Sequence, residues 1–437
     1  MSVPGSELER RRRDLMAAMG EDAAALIPAA PERVRNRDVE YPFRQDSDFL
    51  YLTGFPEPEA MALLLPGRGE GEYVLFCRER DPDKEVWTGR RVGQEGAVAR
   101  YGADDAYPLA DVDEVLPGLL EGRRRLFYSL GRNSELDRRV MGWVNRIRDR
   151  ARSGQRPPQE FVALEPTLHD MRLHKSQAEL ELMRHAGEIS MAAHRRAMQV
   201  CRPGMHEYEV EAELQYVFRR ANTEPAYPPI VGGGANGCIL HYTENDQPLH
   251  DGDLLLIDAG AEMAGYASDI TRTFPINARF SDAQRQLYEV VLEAQDAAIA
   301  RAVPGNSWDD PHQAAVAVLT RGLVELGLLE GEVDRLIEED AYRQFFMHRT
   351  GHWLGLDVHD VGDYKRDGEW RLLAPGMTLT VEPGLYIAPE SKGVPERFRG
   401  IGIRIEDDVL ITEEGHEVLT GALPRAPDEL EALVGAG

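Results

Sequence analysis

The chain has 437 residues, 76 acidic against 50 basic side chains, a net charge of −26 and 42% apolar residues. That length holds two or three domains with substantial cores, and the charge argues against nucleic acid or an anionic membrane surface as a partner. No stretch approaches the roughly 20 consecutive apolar residues of a membrane helix, and the arginine run in MSVPGSELERRRRDLMAAMG has no apolar segment behind it, unlike a secretory signal. Cys77, Cys201 and Cys238 are few, odd in number and widely spaced, which suits a reducing cytoplasm better than a disulfide framework or a zinc knuckle. Lys84, Lys175, Lys365 and Lys392 are the only lysines, a scarcity that reads as genomic base composition.

Along the chain, the N-terminus reads as an amphipathic helix. The apolar runs FLYLTGF, AMALLLPG, EYVLFC and RRLFYSL, alternating with helical stretches, predict an α/β domain with a mixed sheet over 1–172. SGQRPPQEFVALEPTLHDMR is rich in turn residues and is the expected linker, placing the boundary near residue 172. A second domain over 173–437 opens on a capping box, Ser176-x-x-Glu179, followed by Met183, Ala186, Ile189, Ala193 and Ala197 at helical spacing. Pro203-Gly204 breaks that helix and another follows to about Ala221. Strand-like segments run from Ile239 to Phe274, a second capping box (Ser281-x-x-Gln284) opens a further pair of helices, and strands return at 377–382 and 403–411. Two helices followed by strands, twice over, predict a pseudo-two-fold domain with a site between its halves.

The most informative segment is DLLLIDAGAEMAGYASDITRTF. A hairpin with Met263 and Ala264 at its tip sets Asp258 opposite Asp269 on one face, with Cβ atoms roughly 4.5–5.5 Å apart. Like charges at that distance raise each other's pKa unless a cation lies between them, and two divalent ions roughly 3.5–4 Å apart would use such a pair well. Four more segments carry candidate ligands. FFMHRTGHWLGLDVHDVG holds His348, His352 and His359; GMTLTVEPGLYI sets Glu382 on the face of Thr378 and Thr380; GIGIRIEDDVLI alternates Ile401, Ile403 and Ile405 with Arg404 and Glu406; NGCILHYTEND places His241 just after an apolar strand. Burying several unpaired carboxylates costs several kcal/mol each. Four carboxylates, one imidazole and no thiolate favour Mn²⁺, with Co²⁺, Zn²⁺ or Fe²⁺ also compatible, and do not look like a closed structural zinc site.

The order Asp, Asp, His, Glu, Glu in these contexts resembles the metal set of the pita-bread metallopeptidases, which include methionine aminopeptidase, prolidase and aminopeptidase P. GCILHYTEND, IDAGAEMAGYASDITRTFP, HWLGLDVHDVG, LTVEPGLYIAP and RGIGIRIEDDVLIT resemble the Xaa-Pro aminopeptidase (aminopeptidase P) family specifically, and YPFRQDSDFLYLTGFPEPEA resembles its N-terminal domain. The resemblance implies an α/β (α+β) chain: an N-terminal mixed α/β domain used in oligomerisation, then a catalytic pita-bread domain. It implies that Asp258 chelates one of two divalent ions, that Asp269 and Glu406 bridge both, and that His352 and Glu382 hold the other. His241 and His359 match substrate-binding and transition-state histidines, His348 and Arg404 match residues lining the site, and Glu382 doubles as the proton shuttle. The implied reaction releases the N-terminal residue from peptides with proline second. A prolidase restricted to dipeptides is the nearest alternative; metal-free peptide-binding modules and creatinase-like enzymes lack ligands that are all present here. The resemblance also implies a cytoplasmic homodimer or homotetramer, in which Trp87 of KEVWTGRR reaches a neighbouring active site or else packs in a core.

Overall fold

The computed structural model describes residues 2–436, which divide into two compact units, Ser2–Arg172 and a second beginning at Leu173. Among the described residues no helix is long and apolar enough to cross a membrane.

The first unit is built on a six-stranded mixed sheet. Its spatial order is Asp105–Pro108, Tyr73–Cys77, Met61–Leu64, Ala23–Pro28, Arg125–Phe127 and Glu160–Val162. The three inner neighbours from Tyr73–Cys77 to Ala23–Pro28 run antiparallel, and the outer pairings are parallel. Ala24, Leu26, Leu63, Val74 and Phe76 pack on Leu116, Leu120 and Trp143 from two helices. Two expectations fail in this unit. FLYLTGF is not a strand but the helix Ser47–Thr53: Asp46 accepts a hydrogen bond from Phe49 N at 2.9 Å, and Gly54, at φ 61, ends the turn. The arginine run explains the rest, because Arg11 and Arg12 are buried and donate to the Tyr51 and Leu52 carbonyls at 3.0 and 2.9 Å, satisfying the open end of that helix. The expected linker is structured as well. Only its first residues turn; Glu160–Val162 adds the last strand and Glu165–Leu173 is a helix anchored by buried Leu164 and Leu168.

The second unit contains two helix pairs, Gln177–Val200 with Glu207–Arg220 and Asp282–Ile299 with Asp310–Glu325. All five apolar positions expected on the first helix are buried. At its start Ser176 N donates to Glu179 Oε2 at 2.9 Å; at the start of the third, Ser281 and Gln284 exchange bonds of 3.3 and 2.8 Å. Their apolar faces share one core with Leu255, Ile257, Phe274, Ile403 and Val409 from the strands. Each pair is followed by antiparallel strands: Ile230–Gly233, Leu254–Asp258 and Thr271–Pro275 after the first, Thr378–Val381, Gly384–Ile387, Ile401–Arg404 and Asp407–Ile411 after the second.

The hairpin differs from the expected register. Met263 pairs with Tyr266, so the two-residue loop is Ala264-Gly265, whose φ values of 52 and 91 are those a tight primed turn demands. Asp258 therefore pairs with Thr271, not Asp269. The slip is two residues, which preserves the face, so the two aspartates become diagonal neighbours on one side instead of direct partners. A second correction concerns His241. No strand precedes it; the strand is Ile230–Gly233, a short 3₁₀ turn covers Gly234–Cys238, and His241 sits on the loop beyond.

Candidate metal centre

Every candidate carboxylate stands where a strand ends or breaks. Asp258 closes Leu254–Asp258, and Asp269 precedes Thr271–Pro275. Glu382 lies between Thr378–Val381 and Gly384–Ile387, and Glu406 between Ile401–Arg404 and Asp407–Ile411. At two of these breaks the backbone bonds outside its own ladder, Glu382 N to the Thr350 carbonyl at 2.8 Å and Glu406 N to the Thr271 carbonyl at 3.1 Å. These four line one cavity of about 280 Å³ together with His241, His348, His352, His359 and Arg404, a volume near the lower end for small-ligand sites.

His352 shows what the cavity is arranged to hold. Its Nδ1 lies 2.9 Å from the Trp353 carbonyl, which accepts the Nδ1 proton. That leaves Nε2 facing Asp269 Oδ2 at 3.4 Å and Glu382 Oε1 at 3.7 Å, the orientation that second-sphere bonds impose on metal-binding histidines. Thr380 fixes the same segment: its N–H donates to the His352 carbonyl at 2.9 Å and its hydroxyl to Glu382 Oε1 at 3.3 Å. Gly351 permits this approach, since a Cβ there would lie 2.0 Å from Thr380 O. Ligand atoms of Asp269, His352 and Glu406 lie within 4.8 Å of one another.

The electrostatics agree. Burial pushes Asp258 and Glu406 above the usual carboxylate range, and neighbouring carboxylates push them further. Glu382, the least buried of the four, is lifted to about 7 by the same burial despite His352 and Arg404 nearby. Burial opposes charge on His352, but Asp269 and Glu382 override it and raise its pKa to about 9. For Asp269 burial is the largest single influence and pushes upward, but the hydrogen bond and charge of His352, the Tyr227 hydroxyl and the Arg404 charge together overcome it, and its pKa falls. Among the described residues, the guanidinium that bonds to the cluster is that of Arg404, which donates to Asp258 Oδ2 at 2.5 Å, Thr271 Oγ1 at 3.0 Å and the Tyr386 hydroxyl at 3.1 Å. Four carboxylates with one such partner form a cage short of positive charge, and an oxygen-rich donor set with a single imidazole fits hard or borderline divalent cations.

The remaining histidines differ in their restraint. His348 is held between the Arg349 carbonyl at 2.7 Å and the Tyr386 hydroxyl at 2.8 Å; burial and Arg404 drive its pKa down to about 3, so it is neutral. The His359 ring centre lies 4.2 Å from that of His352, and its pKa is lowered by partial burial and by His352. His241 is exposed on its loop.

Metallopeptidase family M24 matches residues 181–413, and the aminopeptidase P N-terminal domain matches residues 8–128. The chain is 49% identical over 434 residues to the Xaa-Pro aminopeptidase of Escherichia coli, covering 99% of this chain and 98% of the relative. The chain belongs to the Xaa-Pro aminopeptidase (aminopeptidase P) branch of metallopeptidase family M24. Solved structures agree: Pseudomonas aeruginosa aminopeptidase PepP has a TM-score of 0.98 at 59% identity, covering 100% of this chain and 99% of its own. Zinc-substituted E. coli aminopeptidase P in complex with product has a TM-score of 0.96 at 48% identity, covering 99% and 98%. The two helix pairs with their strands are thus the family's pita-bread domain, and the chain is a metal-dependent hydrolase.

Some of the centre's residues escaped the sequence reading. The Tyr227 hydroxyl sits 2.6 Å from Asp258 Oδ1 and 2.5 Å from Asp269 Oδ1, yet AYPPI has no periodicity that marks it. Asp408 accepts from Asp269 N at 3.1 Å and from the Ser268 hydroxyl at 2.8 Å, fixing the backbone of Asp269. Tyr386 was legible in principle, being two and four residues beyond Gly384 and Glu382 on the same alternation.

Proposed function

We propose that the cavity holds two divalent ions, with Mn²⁺ giving the highest activity, and that the enzyme removes the N-terminal residue from peptides whose second residue is proline. The orientation of His352 supports this most directly: its Nε2 is aimed between Asp269 and Glu382 in a buried, carboxylate-rich site. Asp258 would chelate one ion, Asp269 and Glu406 would bridge, and His352 and Glu382 would hold the other; Co²⁺, Zn²⁺ and Fe²⁺ suit the same donors. When bound, such ions lower the pKa of water and polarise a carbonyl.

The protein's own groups do the rest. Glu382, lifted to about 7, is suited to take a proton from the attacking water and deliver it to the prolyl nitrogen, which carries no N–H in the peptide. His241 and His359 donate to the oxygen that becomes charged as the carbonyl is attacked. Arg404 holds Asp258 in place, and neutral His348 lines the cleft beside Tyr386. The substrate's free amine meets the Asp258 side of the cluster, which restricts cleavage to the N-terminal bond.

The N-terminal unit is read as an oligomerisation module of a cytoplasmic homodimer or homotetramer. No residue of the helix Pro82–Thr88 is buried, and Val86 and Trp87 are 82% and 87% exposed, so Trp87 is no core residue. Light scattering that returned a monomer at working concentration would remove that assembly. The catalytic reading is tested by metal analysis of protein purified without chelator, beside turnover of Xaa-Pro-Xaa tripeptides and Xaa-Pro dipeptides. Two ions per chain and efficient tripeptide cleavage are expected. Full activity after exhaustive chelation, or cleavage of dipeptides alone, would overturn it.

A further inference from the structure

Lys175 is one of very few lysines in an arginine-rich chain, and its side chain is almost wholly buried. Nζ lies 2.9 Å from Asp360 Oδ2, with both side chains 1% exposed. The space is shaped around this pair: a Cβ at Gly355 would stand 2.1 Å from Asp360 Oδ2 and 2.9 Å from Lys175 Cε. A compact ammonium fits there, whereas the wide planar fork of an arginine does not.

Asp360 also ties together the loop that carries His359. Its N–H donates to the Trp353 carbonyl at 2.8 Å, and its Oδ1 accepts from Asp357 N at 3.4 Å, so the 353–360 loop closes on it. Lys175 in turn is fixed by its own backbone, whose N–H donates to the Gly376 carbonyl at 2.8 Å. The result is a chain of contacts from the Gly376 turn through Lys175 and Asp360 to the peptide bond of His359. Stability alone does not account for it, since a buried ion pair contributes little that well-packed apolar residues would not.

We propose that Lys175 is a positioning residue which, through Asp360, holds His359 where it meets the substrate carbonyl. The proposal rests on the reading of His359 as a substrate-facing group, and a double-mutant cycle separates the two. Lys175→Met, His359→Gln and their combination are compared for kcat and KM on an Xaa-Pro-Xaa tripeptide, with bound metal and the urea midpoint measured alongside. Misplacement of a catalytic group by a distant change costs on the order of 10- to 100-fold, so Lys175→Met is expected to lower kcat by that factor, with KM moving less and the metals retained. In the His359→Gln background the same substitution should cost less than about twofold, because coupled residues are not additive.

An unchanged kcat for Lys175→Met, or the same fold-loss in both backgrounds, would overturn the proposal. A silent His359→Gln would remove the reading beneath it, and the proposal with it. If Lys175→Met does not fold, the uncharged pair Lys175→Met/Asp360→Asn carries the same cycle. A folded pair with reduced kcat supports the positioning role, and a pair with the parent kcat refutes it.

Discussion

Glu406 and Asp407 are neighbours in sequence, yet they belong to regions with opposite electrostatic solutions. Behind the cavity, Asp407 accepts from Arg272 at 2.8 Å, Thr420 at 2.7 Å and Gln295 at 2.9 Å. Arg272 itself directs its remaining donors to the carbonyls of Thr271, Glu406, Leu423 and Pro424. Inside the cavity, Glu406 has one hydroxyl, that of Thr271 at 2.6 Å, and faces Asp269, Glu382 and Asp258, which together with burial push its pKa far up. The first region is complete from the protein's own atoms; the second is left short of positive charge by them. Asp407, with its counter-charge built in, is architecture; a cluster of four buried carboxylates with far too little counter-charge has the character of a binding site.

Four measurements would break or sharpen that contrast. The largest effect is expected for Glu406→Gln, which removes a charge from the proposed metal site. Activity should fall by at least ~10³-fold, given several kcal/mol of electrostatic stabilisation from metals, while the chelated protein should become more stable because one repelling carboxylate is gone. A chelated variant less stable than the parent would show that Glu406 is held by the fold in the way Asp407 is.

Glu382→Gln keeps the shape and an oxygen donor but cannot accept a proton. Its kcat should drop by roughly 10²–10⁴-fold, as for a lost general base, with metal binding only weakened. Wild-type turnover with metals in place would move the shuttle elsewhere, with His241 next to test.

Asp407→Asn is the mirror experiment. It leaves the Arg272 guanidinium buried without its carboxylate, which typically costs about 3–5 kcal/mol, to be read from urea unfolding. Metal content and turnover per folded molecule should change little by comparison; loss of metal in step with Glu406→Gln would dissolve the distinction between the regions.

The smallest effect concerns pH. His194 is fully buried with Nε2 3.0 Å from the Ala259 carbonyl, and burial lowers its pKa to about 4. An unfolded histidine titrates near ~6.5. Between those values the unfolded chain takes up a proton that the folded one refuses. Stability is therefore fully present above ~6.5 and is lost as pH falls towards 4, by at most about 3 kcal/mol. His194→Gln keeps a donor for the carbonyl and should flatten the fall of the urea midpoint over that range in chelated protein. Identical slopes in parent and variant would assign the acid sensitivity to other groups.

The sequence by itself determined the helix pairs, their capped starts and the residues of the cavity, because these depend on local chemistry: apolar spacing fixes a helix face, and a carboxylate at a strand end announces itself in a few residues. The aspartate pair was legible as sharing a face because alternation survives a two-residue slip, although the register was not. That depended on Ala264-Gly265 adopting a left-handed turn. FLYLTGF was illegible for the same kind of reason, since its helix relies on arginines some 40 residues earlier in the chain. Only tertiary structure could show that Tyr227 reaches both Asp258 and Asp269, that Asp407 has a cationic partner of its own and Glu406 does not, and that Lys175 meets Asp360 across 185 residues. A side chain's charge is written in the sequence, but its partner is set by where distant backbone segments cross, and burial makes that partner decide whether the charge is structural or functional.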